Sequence, residues 1–290
     1  MLPTSLQPLV VAMILAAIVT ATHRRLPPVT AARTVTVTLL VVVAAAVPTL
    51  WIVSLGYLAH LPLLGGRLEW CAKAIGVHDP IPWWVGLPAL VVTVAGVVRA
   101  RSVIRCFREL RHDQPGGVEI TEHVRPFAFT LPGRGGHVIV SSALLQMLDE
   151  SEQSVVLAHE RAHAAHRHDR YLLVAQFAAA VVPPLRPLAG RLQFSLERWA
   201  DESAVVHCGD RGLVARTLGK VALRSSAPIG VMPFAGLGVP ARVAALLSPP
   251  MSPLRSGAHA ALWSAILLTG ALAGFQLHHL TRLITALCPG

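Results

Sequence analysis

His159-Glu160-Arg161-Ala162-His163 is an H-E-x-x-H motif, and its spacing is that of a divalent-metal site on a helix. Helical side chains four positions apart lie one above the other on the same face, so both imidazoles reach one ion. Glu160 projects beside that pair, where a carboxylate takes a proton from water activated at the metal. Two nitrogen ligands and a neighbouring carboxylate base make the zinc-hydrolase pattern.

The helix carrying the motif is expected from Glu152 to His168. A catalytic zinc needs a third protein ligand and an open position. Glu197 is one candidate, in Glu197-Arg198-Trp199-Ala200-Asp201, where the spacing of Leu192, Ser195, Leu196, Trp199 and Ala200 reads as a second helix. Asp201 falls one turn later on the same face, placed to hydrogen-bond the outer nitrogen of a ligating histidine and fix its tautomer. His166 is the other candidate, on the face of His159 but about 10 Å further along the axis. His166 and His168 together read as a polar flank. The metzincin pattern H-E-x-x-H-x-x-G-x-x-H is absent, since positions 166 and 169 are His and Asp.

Composition sets the surroundings of this motif. The chain has 290 residues, of which 53% are hydrophobic and 14% charged. Soluble domains carry about 25% charged residues, so the deficit points to a membrane protein. The net charge of +10 is spread beside apolar runs and shows no nucleic-acid motif, so no direct nucleic-acid partner is expected. Cys71, Cys106, Cys208 and Cys288 form no C-x-x-C pair and read as small apolar residues.

Charge-free stretches mark four spans: residues 1–23, one helix between Arg33 and Arg67, Pro80 to Val98 with Trp83 and Trp84 at the outer interface, and Ser256 to Thr281. Arg24, Arg25 and Arg33 follow the first span, and Arg99, Arg101, Arg105, Arg108 and Arg111 follow the third. Arg67 and Lys73, offset by Glu69 and Asp79, lie between the second and third. The positive-inside rule then places the motif in the cytosol and both termini outside. Tyr171 to Leu185 is apolar but short, and Val182-Pro183-Pro184 breaks it. A helical hairpin fits better than a crossing. If Glu197 joins His159 and His163 on one ion, residues 163 and 197 share one side of the membrane, which also requires a hairpin.

Leu157-Ala158 and the motif, Asp169, and Glu197-Arg198-Trp199-Ala200-Asp201 together resemble the membrane-embedded gluzincin peptidases. These include the HtpX-like quality-control proteases, the CAAX prenyl proteases and the BlaR/MecR-type antirepressor peptidases. Pro126-Phe127-Ala128-Phe129-Thr130 and His137 to Leu145 resemble the segment those families place before the motif helix. The resemblance covers Glu119 to Leu213. It implies a zinc-dependent metalloendopeptidase with one Zn2+ per chain held by His159, His163 and Glu197, and with Glu160 as base. Three spans before the catalytic region and one after look most like the BlaR/MecR type, with a transcriptional repressor as substrate. That type carries a penicillin-binding sensor domain after its last span; none is expected here, with Gly290 close behind the span. HtpX-like quality control is the rival enzyme reading, and a signalling scaffold with a vestigial zinc site is the non-enzyme one.

The expected fold is therefore mainly α and integral to the membrane, with a gluzincin-type peptidase domain holding a small β-sheet. Residues 1–112 form a three-span region with an Arg-rich cytoplasmic segment. Residues 113–255 form the cytosolic peptidase domain, in which a hairpin near 171–190 dips into the membrane or packs within the protein, and residues 256–290 form the last span. The partners are a protein or peptide substrate and the lipid bilayer. His137, Val138, Ile139 and Val140, after the turn Pro132 to Gly136, are expected as an edge strand that pairs with the substrate backbone. His207 and Arg211 are candidate oxyanion donors. The uncharged, Gly- and Pro-rich stretch from Ser225 to Ala241 reads as a linker.

Overall fold

A computed structural model describes residues 2–61, 79–111, 116–133, 136–224, 238–248 and 256–287. Arg67, Glu69, Cys71, Lys73, Arg134, Gly135, Cys288 and the linker residues 225–237 lie outside the described residues. The helices are α1 (Leu2–Thr22), α2 (Pro28–Ala59), α3 (Trp83–Leu110), α4 (Ser142–Met147), α5 (Glu150–Ala165), α6 (His168–Val181), α7 (Arg186–Cys208), α8 (Arg211–Arg224), α9 (Val239–Leu247) and α10 (Ser256–Leu287). Between α3 and α4 lie β1 (Val118–Thr121), β2 (Ala128–Thr130) and β3 (Val138–Ser141).

Among the described residues, three helical segments are long and apolar enough to cross a membrane: Gln7–Arg25, α2 and α3. In α10 the described residues Ala260–Phe275 form an apolar helical run. The third span was expected to end at Val98, but α3 continues as one helix through the arginines to Leu110. Its apolar part and its arginine-bearing extension are therefore one continuous helix.

The apolar run from Tyr171 folds back on itself. A short 3-10 turn at Pro183–Leu185 separates α6 from α7, where consecutive prolines cannot continue the helical hydrogen bonds. Both helices pack against α2, and α6 also packs against α3. The approach is close at Gly96 of α3, where a Cβ would sit 3.4 Å from the carbonyl of Val181. Leu15 and Val19 of α1, Leu39 and Val42 of α2, and Leu188, Leu192 and Leu196 of α7 share one core. A second core joins Val138 and Val140 of β3, Leu144 of α4, Val155 and Val156 of α5, Ala204 of α7, Leu218 of α8 and Leu246 of α9. Burying each large side chain of this second core contributes about 1.5–3 kcal/mol. Helix α7 belongs to both cores, so it fixes the metal-site residues relative to the spans.

The sheet order is β1-β3-β2, with β1 parallel and β2 antiparallel to β3. Val138 to Val140 therefore occupy the central strand, hydrogen-bonded on both sides, and cannot add a substrate strand. The side chain of His137, just before β3, contacts Glu119 of β1 at 2.7 Å. A short alternating run reads the same whether central or at an edge, which is why the expectation fails. The edge strand beside the motif helix is β2.

The turn from β2 to β3 rests against the motif helix at Gly136. Its φ is +64°, and a Cβ there would collide with Ala164 of α5. Both the left-handed backbone and the contact demand glycine. Gly136→Ala is expected to destabilise the protein by about 1–3 kcal/mol. Thermal unfolding of the purified chain in detergent checks this, as does a parallel loss of peptide cleavage as the strand turn moves away from α5.

Candidate metal centre

The motif helix α5 is held at its start by a capping box. The Asp149 side chain accepts from the Glu152 N–H at 2.9 Å, and Glu152 accepts in return from the Asp149 N–H at 3.1 Å. The helix ends earlier than the sequence pattern suggests. His166 caps it, Arg167 takes a left-handed φ of 54°, and His168 begins α6. Helix α7 crosses α5 and turns Glu197 and Asp201 toward it.

The ligand atoms of His159, His163 and Glu197 all lie within 4.8 Å of one another. The two Nε2 atoms are 3.1 Å apart, and each lies 3.6 Å from a different oxygen of Glu197. Tetrahedral zinc with bonds of about 2.0–2.2 Å to nitrogen and oxygen separates its ligands by about 3.3–3.5 Å, so a small turn of the side chains would bring the set around one ion. His159 and Glu197 are buried, and His163 is 14% exposed at its side chain, which leaves an approach to the ion.

The charges fit as well. Glu160, Glu197 and Asp201 are all buried, and Arg242 of α9, 0% exposed, is the buried guanidinium that faces them. With neutral imidazoles, one divalent cation and this guanidinium balance three carboxylates. Arg242 donates to both oxygens of Asp201 at 2.8 and 2.6 Å and contacts Glu197 Oε2 at 2.8 Å. Burial opposes the charge on Glu197 and Asp201, but Arg242 prevails and holds both below the ordinary carboxylate range. Burial likewise opposes a charge on His159, yet Asp201 and Glu197 raise its pKa to about 9. The donor set therefore strongly favours a cation at His159. His163 is driven by burial to about 4, so its ring is neutral and ready to ligate.

Asp201 Oδ1 lies 3.1 Å from His159 Nδ1, the outer nitrogen. A proton there fixes Nε2 as the ligating atom. Burial pushes Glu160 up to about 7, against the opposing pull of His159 and a hydrogen bond from Thr130. The Thr130 hydroxyl lies 2.8 Å from Glu160 Oε2 and 2.9 Å from the Glu160 carbonyl. It has one proton for two acceptors. It donates to the carboxylate when Glu160 is ionised, and can turn to the carbonyl and accept when Glu160 is protonated.

Glu160 and His163 open into a cavity of about 250 Å³. Phe107 and Leu110 from the end of α3, Leu131 after β2, and Leu172 and Leu173 of α6 give it apolar walls.

The sequence-predicted residues sort cleanly. His159, Glu160, His163, Glu197 and Asp201 converge. His166 does not; its ring stacks on Trp199 with centroids 4.6 Å apart. His168 is no polar flank but is buried, with Nδ1 2.9 Å from His163 Nδ1. Arg211 is engaged elsewhere, donating to both oxygens of Glu202 at 2.8 and 2.7 Å and to the Leu246 carbonyl. His207 is exposed, about 15 Å along α7 from Glu197, at 1.5 Å rise per residue. Neither is an oxyanion donor. Arg242 escaped the sequence reading, because the expected linker ended at Ala241 while α9 already begins at Val239. One signal was available: a single arginine in the apolar run Val239 to Leu247 requires a buried partner.

Residues 99–185 match the family model of peptidase family M48, less than a third of the chain. The match holds the H-E-x-x-H helix and ends before Glu197. No curated protein and no solved structure gives a match.

Two outcomes follow from this geometry. Only ionised Glu160 accepts a proton, so kcat/KM falls as pH drops through an acid limb at pH 7 or below, because a bound cation can only lower that pKa. Thr130→Val removes a hydrogen bond that favours the carboxylate and moves the limb to higher pH. Arg242→Met strands two buried carboxylates and costs about 3–5 kcal/mol of stability, read as a lowered Tm with and without zinc. Arg242→Lys lacks the forked donors and does not restore it.

Proposed function

We propose that the chain, whose residues 99–185 match peptidase family M48 and whose His159, His163 and Glu197 form a candidate zinc site, is a multi-pass membrane zinc metalloendopeptidase of the BlaR/MecR type. In this reading it cuts a cytosolic or membrane-associated protein, a transcriptional repressor, as a step of signal transduction. The observation that carries the catalytic part is the three-ligand cluster with Glu160 at the mouth of an apolar cavity. The order of elements supports the type: three long apolar helices precede the site and an apolar helix follows it. The arginines at the cytoplasmic ends support placing residues 113–255 in the cytosol and both termini outside, with 1–112 and 256–290 in the membrane.

Zinc, when bound, polarises the peptide carbonyl and makes water nucleophilic near neutral pH. Glu160 takes the proton of the attacking water and returns it to the leaving amine. Thr130 steadies the carboxylate in both protonation states. Asp201 keeps His159 in its ligating tautomer, and Arg242 keeps Asp201 and Glu197 charged. The substrate backbone aligns along β2. Leu131 N–H donates to the His137 carbonyl, and Ser141 N–H to the Phe127 carbonyl. By antiparallel alternation the backbone groups of Ala128 and Thr130 point to the outer edge, where no strand pairs among the described residues. An apolar side chain beside the scissile bond fills the cavity.

A second reading is HtpX-like quality control of membrane proteins, favoured by Phe107 and Leu110. These residues carry a membrane span directly into the cleft wall.

Glu160→Gln is expected to retain one zinc per chain and lose about 10²–10⁴-fold in cleavage. Comparing fragments in cells that carry wild type or Glu160→Gln then separates the readings. A repressor cut only by wild type supports signalling; uncut membrane proteins of many kinds support quality control. Full activity in Glu160→Gln contradicts both. Leu172→Asp is expected to lower kcat/KM by about tenfold or more on peptides with Leu or Phe beside the scissile bond. A set of peptides varied at that position measures it.

A further inference from the structure

The two histidine ligands are supported unequally from outside. His159 has the usual partner, a carboxylate, at Nδ1. His163 has none. Its Nδ1 instead meets Nδ1 of His168 at 2.9 Å. Two imidazole nitrogens at that distance share one proton, and the metal decides which ring carries it. His163 turns Nε2 toward the other ligands, 3.1 Å from His159 Nε2 and 3.6 Å from Glu197, so Nε2 is the atom that would hold the ion. Its remaining proton therefore sits on Nδ1. His168 must accept at Nδ1 and keep its own proton on Nε2. That Nε2 is buried, with no hydrogen-bond partner among the described residues.

The surroundings of His168 hold its ring in this orientation. Its ring is 1% exposed, lies 4.9 Å from the Trp199 ring and stands edge-on to His163, with centroids 4.8 Å apart and planes at 85°. The backbone also favours the pairing. Arg167 adopts a left-handed conformation that non-glycine residues rarely take, breaking α5 one turn after His163. The chain thereby brings His168, five positions on, back against the outer edge of the ligand. On an unbroken helix, side chains five apart do not face each other.

We propose that His168 is a positioning residue for the metal, acting through His163: its Nδ1 accepts the His163 Nδ1 proton and so holds His163 Nε2 toward zinc. The inference rests on the three-ligand zinc site and concerns how one ligand is aimed. A neutral imidazole in place of a carboxylate also leaves the buried site without a further negative charge, so that Arg242 and one divalent cation still balance Glu160, Glu197 and Asp201.

The test measures zinc affinity by chelator competition on the full chain in detergent, with the absorption spectrum of the Co2+-substituted protein as a second readout. His168→Asn places an amide oxygen near the position of Nδ1 and is expected to bind zinc within about threefold of wild type. His168→Gln reaches toward the Nε2 position instead, and His168→Leu fills the space without an acceptor. Both are expected to weaken zinc by about 10–100-fold and to alter the Co2+ bands. His166→Leu, which removes the ring stacked on Trp199, is expected to bind zinc as wild type does. Equal weakening by Asn, Gln and Leu would reduce His168 to packing and overturn the proposal. Wild-type affinity in His168→Leu would overturn it too. If the Leu variant does not fold, the order of Asn over Gln decides. Failure of wild type itself to bind stoichiometric zinc would instead refute the metal site, a distinct outcome.

Discussion

Two carboxylates one helical turn apart on α7, sealed from water, face a single buried guanidinium. This contact is the constraint on which the site depends. A buried carboxylate without a partner is expensive enough that it would take up a proton. Arg242 prevents that at both Glu197 and Asp201. One remains a charged ligand and the other a charged acceptor for His159. The guanidinium comes from α9, a helix that contributes no metal ligand, so the peptidase region cannot be understood from the motif helix and its partner alone.

The same economy of charge shapes the rest of the centre. The second histidine is supported by a neutral ring, and the base Glu160 by a neutral hydroxyl. Additional carboxylates would tighten metal binding but leave buried negative charge with no cation to meet it. Burial also sets the base, since a carboxyl raised to about 7 is a competent proton acceptor near neutral pH. The spans are part of this arrangement. Helix α7 carries Leu192 and Leu196 into the core shared with α1 and α2, and Glu197 follows at the next position. Helix α3 carries its apolar residues from the spanning segment to the wall of the cavity. The spans therefore connect to both a candidate ligand and the cavity wall through continuous helices.

Much of this was legible in the sequence because it is local. H-E-x-x-H puts both histidines on one turn of one helix, and Glu197 with Asp201 repeats the same spacing on another. The prolines at 183 and 184 announced the reversal between α6 and α7. What was hidden depends on long-range pairing or on backbone conformations that spacing does not encode. Arg242 meets its partners only through the tertiary fold. His168 read as flank because a left-handed Arg167 is not visible in residue type, and the motif helix was extended through it. Val138 to Val140 read as an edge strand because alternation reports a half-buried face, not the number of neighbouring strands. His207, in the last turn of α7, and Arg211, at the start of α8, come after Glu197 in sequence but lie away from the site; Arg211 is spent on Glu202 and the Leu246 carbonyl.

The central claim is that the third metal ligand comes from α7. Metal content and zinc affinity of Glu197→Ala, in the full-length chain and beside wild type, test it most directly. The account predicts one tightly bound zinc per chain in wild type and substoichiometric, readily chelated zinc in the variant, with the helical circular-dichroism signal retained. One zinc per chain held equally tightly by Glu197→Ala would contradict it.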